Sequence, residues 1–300
     1  MPVQESFIGE GIVYLGLVSG GLIRDVGQVS GIKLSISSDE KKLQNYRGGG
    51  GTADTASRIK EVVAEFEFRS FSPENLAIAL RGEVSDLASG SVSDQGHTAF
   101  AGGFVPLTGV GPTTVTVTVD PSAWASTTAK VLGEIVKPGT GTHFYKVTTA
   151  GTTGGTEPTW PTNGTTVTDG TVVWTDMGTM ALSSTEFETR SMGVYIPEDS
   201  TKIAVTGTSV KISYTKTAGY SLQTMVNSGL EYRVIFDGTN FAQADAPLTV
   251  DMYRVKFSAT DDLSLIGDDF GTLKLKAEIL SDSTKTGTGI SKFFEMRMAA

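Results

Sequence analysis

The 300-residue chain has no cysteine and only two histidines. The lack of cysteine excludes disulfides, thiolate metal ligands and a cysteine nucleophile. The histidines, His97 and His143, lie in a Gly/Ser/Thr-rich stretch and in a Thr-rich segment, which disfavours a Ser/His/Asp catalytic site. We therefore expect neither an enzyme nor a cofactor. Because carboxylates alone can hydrolyse glycosides, a hydrolase stays an open alternative.

Long apolar runs are also lacking. The longest, residues 11–23, is Gly-rich, lies between Glu10 and Arg24, and falls short of the roughly 20 residues that a membrane helix needs. Glu5 and Glu10 stand where a secretory signal carries Lys or Arg. These features predict neither a membrane span nor Sec export.

Basic residues are the minority, with 24 Lys and Arg against 33 Asp and Glu, a formal charge of −9. This balance opposes tight binding to a phosphate backbone and disfavours a dedicated nucleic-acid-binding function. The pairs Asp261-Asp262 and Asp268-Asp269 lack the spacing of a calcium loop, so we interpret them as solvated turns.

The chain is rich in glycine, with 36 Gly, and in alternating apolar and polar residues. From Val62 to Phe68 every second residue is apolar, which is typical of a strand with one buried face. This pattern predicts an all-β fold, a sandwich or barrel. The same alternation marks residues 115–119, 210–214, 232–236, 253–257, 273–279 and 294–298.

One short helix is predicted beside these strands. Ser72 can cap it, Pro73 suits its first position and Gly82 can end it. The stretch 37–58 has charges and four consecutive glycines but no apolar period, which predicts a long mobile loop.

Residues 121–178 differ in composition from the rest, because they contain all three tryptophans and many threonines. Turn signals such as Asn163-Gly164 recur between short predicted strands. We predict a small inserted β-module here, with residues 1–120 and 179–300 forming one discontinuous β-domain. The module's aromatic residues form either its own core or a platform for stacking on sugars. These residues are Trp124, Tyr145, Trp160 and Trp174.

Several segments, taken in order, resemble bacteriophage tail tube (major tail) proteins. The N-terminal half has the family's order of a glycine-containing strand, a long loop, a strand and a short helix. Two parts of the insertion, residues 149–161 and 168–174, resemble a short module found in many phage virion proteins. The C-terminal segments with the resemblance are 210–215 (VKISYT), 231–240 (EYRVIFDGTN), 249–257 (TVDMYRVKF), 265–269 (LIGDD) and 281–285 (SDSTK).

The resemblance implies a structural protein of the virion tail, assembled in the host cytoplasm. Six copies would close into a ring by strand pairing, and rings would stack into a hollow tube. Expected partners are further copies, a tape-measure protein, a tail terminator and a distal tail or baseplate protein. Double-stranded DNA would pass through the acidic lumen without specific binding. The module 121–178 would project outward, which favours a non-contractile tail.

In the tail tube family the long loop bridges successive rings, and a glycine-rich loop can become ordered on assembly. The residues expected in the inter-ring loop are Asp39, Lys41, Lys42, Arg47, Gly48, Gly49, Gly50, Gly51 and Arg58.

An alternative function is that of a carbohydrate-binding virion or surface protein, in which the aromatic residues of the insertion contact a glycan.

Overall fold

The structure, a computed structural model, describes residues 6–299. Strands make up 53% of it and helices 3%, which confirms the predicted all-β class with one short helix. In chain order the elements are β1 (Gly9–Leu17), β2 (Arg24–Asp25), β3 (Val29–Gln44), β4 (Thr52–Phe68), α1 (Pro73–Ala79), β5 (Glu83–Leu87), β6 (Gly90–Ala99), β7 (Phe104–Pro106), β8 (Val110–Val119), β9 (Ser122–Ala123), β10 (Ala129–Lys130), β11 (Ile135–Lys137), β12 (His143–Thr149), β13 (Gly151–Thr152), β14 (Thr166–Asp169), β15 (Val172–Thr179), β16 (Glu188–Arg190), β17 (Gly193–Tyr195), β18 (Thr208–Thr217), β19 (Gly219–Gln223), β20 (Tyr232–Asn240), β21 (Ala246–Phe257), β22 (Leu273–Ile279) and β23 (Phe294–Met298).

The chain forms two compact units, one of residues 6–85 and 220–299 and one of residues 86–219. This division differs from the predicted one, which placed residues 86–120 and 179–219 in the larger domain. The difference arises because β6, β18 and β8 form an antiparallel sheet of their own. Residues 121–178 lie inside the second unit.

The first unit is built on an antiparallel sheet of eight strands, in the order β2-β1-β20-β21-β22-β4-β3, with β23 also paired to β21. The alternation in β4 buries Val62, Ala64, Phe66 and Phe68 on one face. The same period buries alternate residues of β22, directly opposite β4. Together with β1, β20 and β21 these faces form one hydrophobic core.

Helix α1 begins as predicted. The Ser72 hydroxyl oxygen accepts a hydrogen bond from the backbone N–H of Asn75 at 3.2 Å, and Pro73 occupies the first turn. The helix ends at Ala79, before Gly82. It buries Asn75, whose side chain donates to the carbonyls of Val26 and Ser70, both at 2.8 Å. These bonds fix the helix to the strand ends of the first unit.

The second unit contains two three-stranded sheets, β6-β18-β8 and β16-β17-β7, which share a hydrophobic core. Its residues 121–178 supply most of a five-stranded sheet, β14-β15-β12-β11-β9, and the pair β10-β13. Phe144 of β12 belongs to the larger core, whereas its neighbour Tyr145 belongs to a separate small core. The short strands β5 and β19 form a separate two-stranded sheet.

Candidate assembly site

The segment 37–58 is a β-hairpin rather than a mobile loop, so that prediction is wrong. β3 pairs with β4 from Val29↔Phe68 to Gln44↔Thr52, and only residues 45–51 form the turn. A strand is recognised in a sequence by alternating apolar residues, which arise when one of its faces is buried. This part of the hairpin has no buried face, so its sequence does not alternate. Of the predicted inter-ring residues, the strands hold Asp39, Lys41, Lys42 and Arg58, and the turn holds Arg47, Gly48, Gly49, Gly50 and Gly51.

We call residues 37–61 the arm. β4 pairs with β22 only from Val63 to Phe68, so the arm extends beyond β22 as a two-stranded ribbon. Within it only Asp39 and Asn45 are half-buried, and every other residue is exposed. The arm is therefore attached to the sheet only because β3 and β4 continue into it.

The tip of the arm is a defined turn. The backbone N–H of Asn45 donates to the carbonyl of Gly51 at 3.0 Å, and its side-chain amide donates to the carbonyl of Gly48 at 2.9 Å. All four glycines of the tip have positive φ, from +71° to +97°, a conformation that side chains with a Cβ rarely adopt. The glycine run thus shapes the end of a hairpin.

The arm presents large apolar side chains to solvent. Tyr46 is 85% exposed, and Leu43 and Ile59 are more than half exposed. The cross-strand ion pair between Arg58 and Asp39, 3.2 Å long, is itself exposed and contributes at most about 1 kcal/mol. A two-stranded ribbon is only marginally stable in water without a surface to pack on. The arm therefore has the properties expected of a segment that packs against another protein surface.

The first unit also leaves sheet edges open. Within residues 6–299, β2 pairs only with β1 and β3 pairs only with β4. A cavity of about 630 Å³ is lined in part by Gly11 of β1, Ile32 of β3 and Met252 of β21. Unpaired strand edges invite pairing with another chain.

The four aromatic residues singled out in the insertion come together in one cluster. Tyr145 and Trp174 are buried, and Trp124 and Trp160 pack against them half-buried. The rings of Tyr145 and Trp160 lie 4.2 Å apart between centroids. Their arrangement is that of a core, and only parts of Trp124 and Trp160 face solvent.

Sequence reasoning missed two buried aspartates in this segment, of which Asp169 bonds directly to the cluster. Asp169 accepts hydrogen bonds from the indole N–H groups of Trp124, at 2.7 Å, and Trp174, at 3.1 Å. Asp176 accepts from Nδ1 of His143 at 2.8 Å and from the backbone N–H of Gly164 at 3.0 Å. The Asp-Gly pair at 169–170 is recognisable in the sequence, but it predicts only a turn and does not predict the hydrogen-bond donors of Asp169.

The charge of Asp176 is stabilised although its side chain is buried. Burial raises the pKa of Asp176, but hydrogen bonds from Gly164, His143 and Gly178 outweigh burial and leave the pKa below its usual value. Burial, together with the nearby Asp176 charge, raises the pKa of Tyr145 to about 12. The carboxylate therefore works as a hydrogen-bond acceptor for the loop 163–165.

We predict that Asp176 makes the second unit acid-sensitive. Because its folded pKa lies below the usual 3.8, the stabilisation is complete above that value and is lost as the pH falls through the folded pKa. Asp176→Asn should lower the free energy of unfolding by about 1–3 kcal/mol at pH 7. Urea unfolding followed by tryptophan fluorescence should show this difference shrinking below about pH 4. A constant difference from pH 7 to pH 3 would contradict the prediction.

Within residues 6–299, no helix combines the length and apolar content needed to cross a membrane. Nor do three or more His, Asp or Glu side chains of that range come together as metal ligands. Asp261, Asp262, Asp268 and Asp269 all lie in the loop between β21 and β22.

By its fold and exposed elements, the chain is an all-β protein with open sheet edges and a protruding hairpin. It belongs to the family described as protein of unknown function UCP028589, which matches residues 6–134 and 130–297. No curated protein matches the chain.

Proposed function

We propose that the protein is a tail tube subunit, a structural and non-enzymatic component of a bacteriophage tail. Six copies close into a ring, and rings stack into a hollow tube through which DNA passes. The arm carries this proposal, because it is a formed hairpin that exposes Leu43, Tyr46 and Ile59. Burial of these side chains against another copy stabilises both the arm and the assembly.

The open edges of β2 and β3 support ring formation. An exposed strand edge is an aggregation hazard in a monomer, whereas a closed ring leaves no free edge. In the proposed ring, strand pairing between neighbours covers these edges. The largest sheet of the chain then continues from one subunit to the next.

The net charge supports the role of a conduit. Each copy carries −9, so a ring repels the phosphate backbone and DNA slides through without being bound. The other proposed partners are a tape-measure protein inside the tube and terminator and distal tail or baseplate proteins at its ends. We propose that residues 121–178 project outward, in a tail without a contractile sheath.

Carbohydrate binding gains no support from the aromatic cluster. A sugar-stacking platform needs flat ring faces open to solvent. Tyr145 and Trp174 are buried, and Trp160 uses one face against Tyr145. These contacts favour the core function of the four aromatic residues, so we propose no second function.

Electron microscopy tests the proposal directly. The purified chain is concentrated at moderate salt, which screens repulsion between the negative subunits, and examined by negative stain. We expect hollow tubes or six-membered rings. A chain that stays monomeric across the concentration and salt series contradicts the proposal.

A further inference from the structure

The loop of residues 258–272, which we call the acidic loop, connects β21 to β22 and has an unusual surface. It contains four aspartates and no Lys or Arg. It also exposes three large apolar side chains, with Leu265 at 85% and Ile266 and Phe270 at 95%. Apolar groups this exposed within a charged rim mark an interaction site.

The base of the acidic loop is fixed to the first unit. The backbone N–H of Thr260 donates to the carbonyl of Ala79 at 2.7 Å, and its hydroxyl donates to the carbonyl of Lys274 at 3.1 Å. On the other side, the guanidinium of Arg69 donates to the carbonyl of Phe270 at 3.3 Å. These bonds hold the exposed side chains at one end of the sheet.

The arm leaves the same sheet at the opposite end. β22 pairs with β4 from Leu273↔Phe68 to Glu278↔Val63. The acidic loop directly precedes Leu273, whereas the arm precedes Val62 and continues past the Glu278 end. Two different contact surfaces at opposite ends are what a head-to-tail stack of copies requires.

The two surfaces are complementary in charge and in chemistry. The outer arm, residues 41–56, carries Lys41, Lys42 and Arg47 against the single acid Asp54. The acidic loop carries only negative charges. Opposite charges favour contact between an arm and a loop, while two acidic loops repel each other. Apolar side chains stand beside the charges on both surfaces.

We propose that the arm of one copy docks on the acidic loop of a copy in the next ring. Leu43 and Tyr46 cover Leu265, Ile266 and Phe270, and the arm's cations face the loop's aspartates. This inference rests on the proposed tube function, since stacking supplies the second copy. It adds to that function the surface that receives the arm.

Chemical cross-linking tests the contact, and the absence of native cysteine makes it selective. The double variant Tyr46→Cys/Phe270→Cys is assembled into tubes, treated with a short bismaleimide and analysed on a denaturing gel. Docking predicts a ladder of covalent multimers. The matched control Tyr46→Cys/Val205→Cys, whose second position is also exposed, should give at least tenfold less of the multimers.

Charge reversal gives a second readout. Lys41→Glu/Lys42→Glu should reduce the number of tubes at least tenfold, and adding Asp268→Lys/Asp269→Lys should restore it. Tubes formed by the cysteine variant without cross-links above the control, or charge variants that assemble like the wild type, would overturn the docking contact but not the tube function. A wild-type chain that forms no tubes overturns both.

Discussion

Replacing residues 40–57 by an Asn-Gly turn should abolish tube formation and leave the first unit folded. Asp39 and Arg58 are directly opposite in register, so a two-residue turn can join them without disturbing the inner hairpin. The removed residues are exposed apart from half-buried Asn45, and the core of the first unit includes none of them. The loss therefore falls on contacts between copies.

Circular dichroism and electron microscopy measure the two effects separately. The thermal midpoint of the shortened variant should lie within a few degrees of the wild type, because surface changes alter stability by about 0.5 kcal/mol or less. The matched control Leu43→Ser/Tyr46→Ser/Ile59→Ser keeps the arm's length but removes its apolar contacts, and it should form at least tenfold fewer tubes. Tubes of normal length from the shortened variant would show that the arm does not bridge rings.

The sequence predicted the strands that have one buried face. Residues 62–68 and the six other alternating segments all lie in strands. In six of these seven segments, burial on one side of a sheet imposes period 2 on the sequence, whereas residues 294–298 alternate although none of them is buried. Ser72 and Pro73 likewise predicted where α1 begins, since capping depends on neighbouring residues. These features depend on local chemistry.

The alternation of apolar and polar residues could not identify the strands of the arm. Both of its faces are exposed, so Lys41, Lys42 and Leu43 follow one another without a period. The sequence singled out residues of the arm as a candidate contact, but it did not predict their hairpin geometry. The division into units was missed for a related reason, because the pairing of β6 and β8 with β18 joins segments about a hundred residues apart and leaves no local signal.

The acidic loop shows a further limit of sequence reasoning. Asp261-Asp262 and Asp268-Asp269 were interpreted as solvated turns, and the structure does place them in an exposed loop. The nearly complete exposure of Ile266 and Phe270 was not predicted, because an apolar residue in a sequence is normally assigned to a core. Only the three-dimensional structure shows that these side chains are almost fully exposed within the described chain.

Asp169→Ala should destabilise the small core of residues 121–178 by about 3–5 kcal/mol. The Asp169 carboxylate is nearly fully buried and accepts from both Trp124 and Trp174, and it accepts from the backbone N–H of Gly154 at 2.7 Å. Truncation leaves these donors without their acceptor inside a core. Each such loss costs about 1–3 kcal/mol.

Tryptophan fluorescence reports on this core selectively, because all three tryptophans of the chain lie within residues 121–178. We expect the urea midpoint of the fluorescence signal to fall strongly in Asp169→Ala. Glu157→Ala is the matched control, since it also removes the acceptor of an indole N–H, that of Trp160 at 2.8 Å, but at an exposed position. Its change should stay below about 1 kcal/mol. An unchanged midpoint in Asp169→Ala would mean that the aromatic packing holds the cluster without the carboxylate.

The first unit has a separate hydrophobic core, so the same variant also tests whether assembly depends on residues 121–178. If the arm and the sheet edges drive assembly, Asp169→Ala should still form tubes at a temperature where its tryptophan cluster is disordered. If tube formation is lost together with the fluorescence transition, residues 121–178 take part in the contacts between copies. Microscopy and fluorescence on one sample therefore test whether assembly depends on the first unit alone.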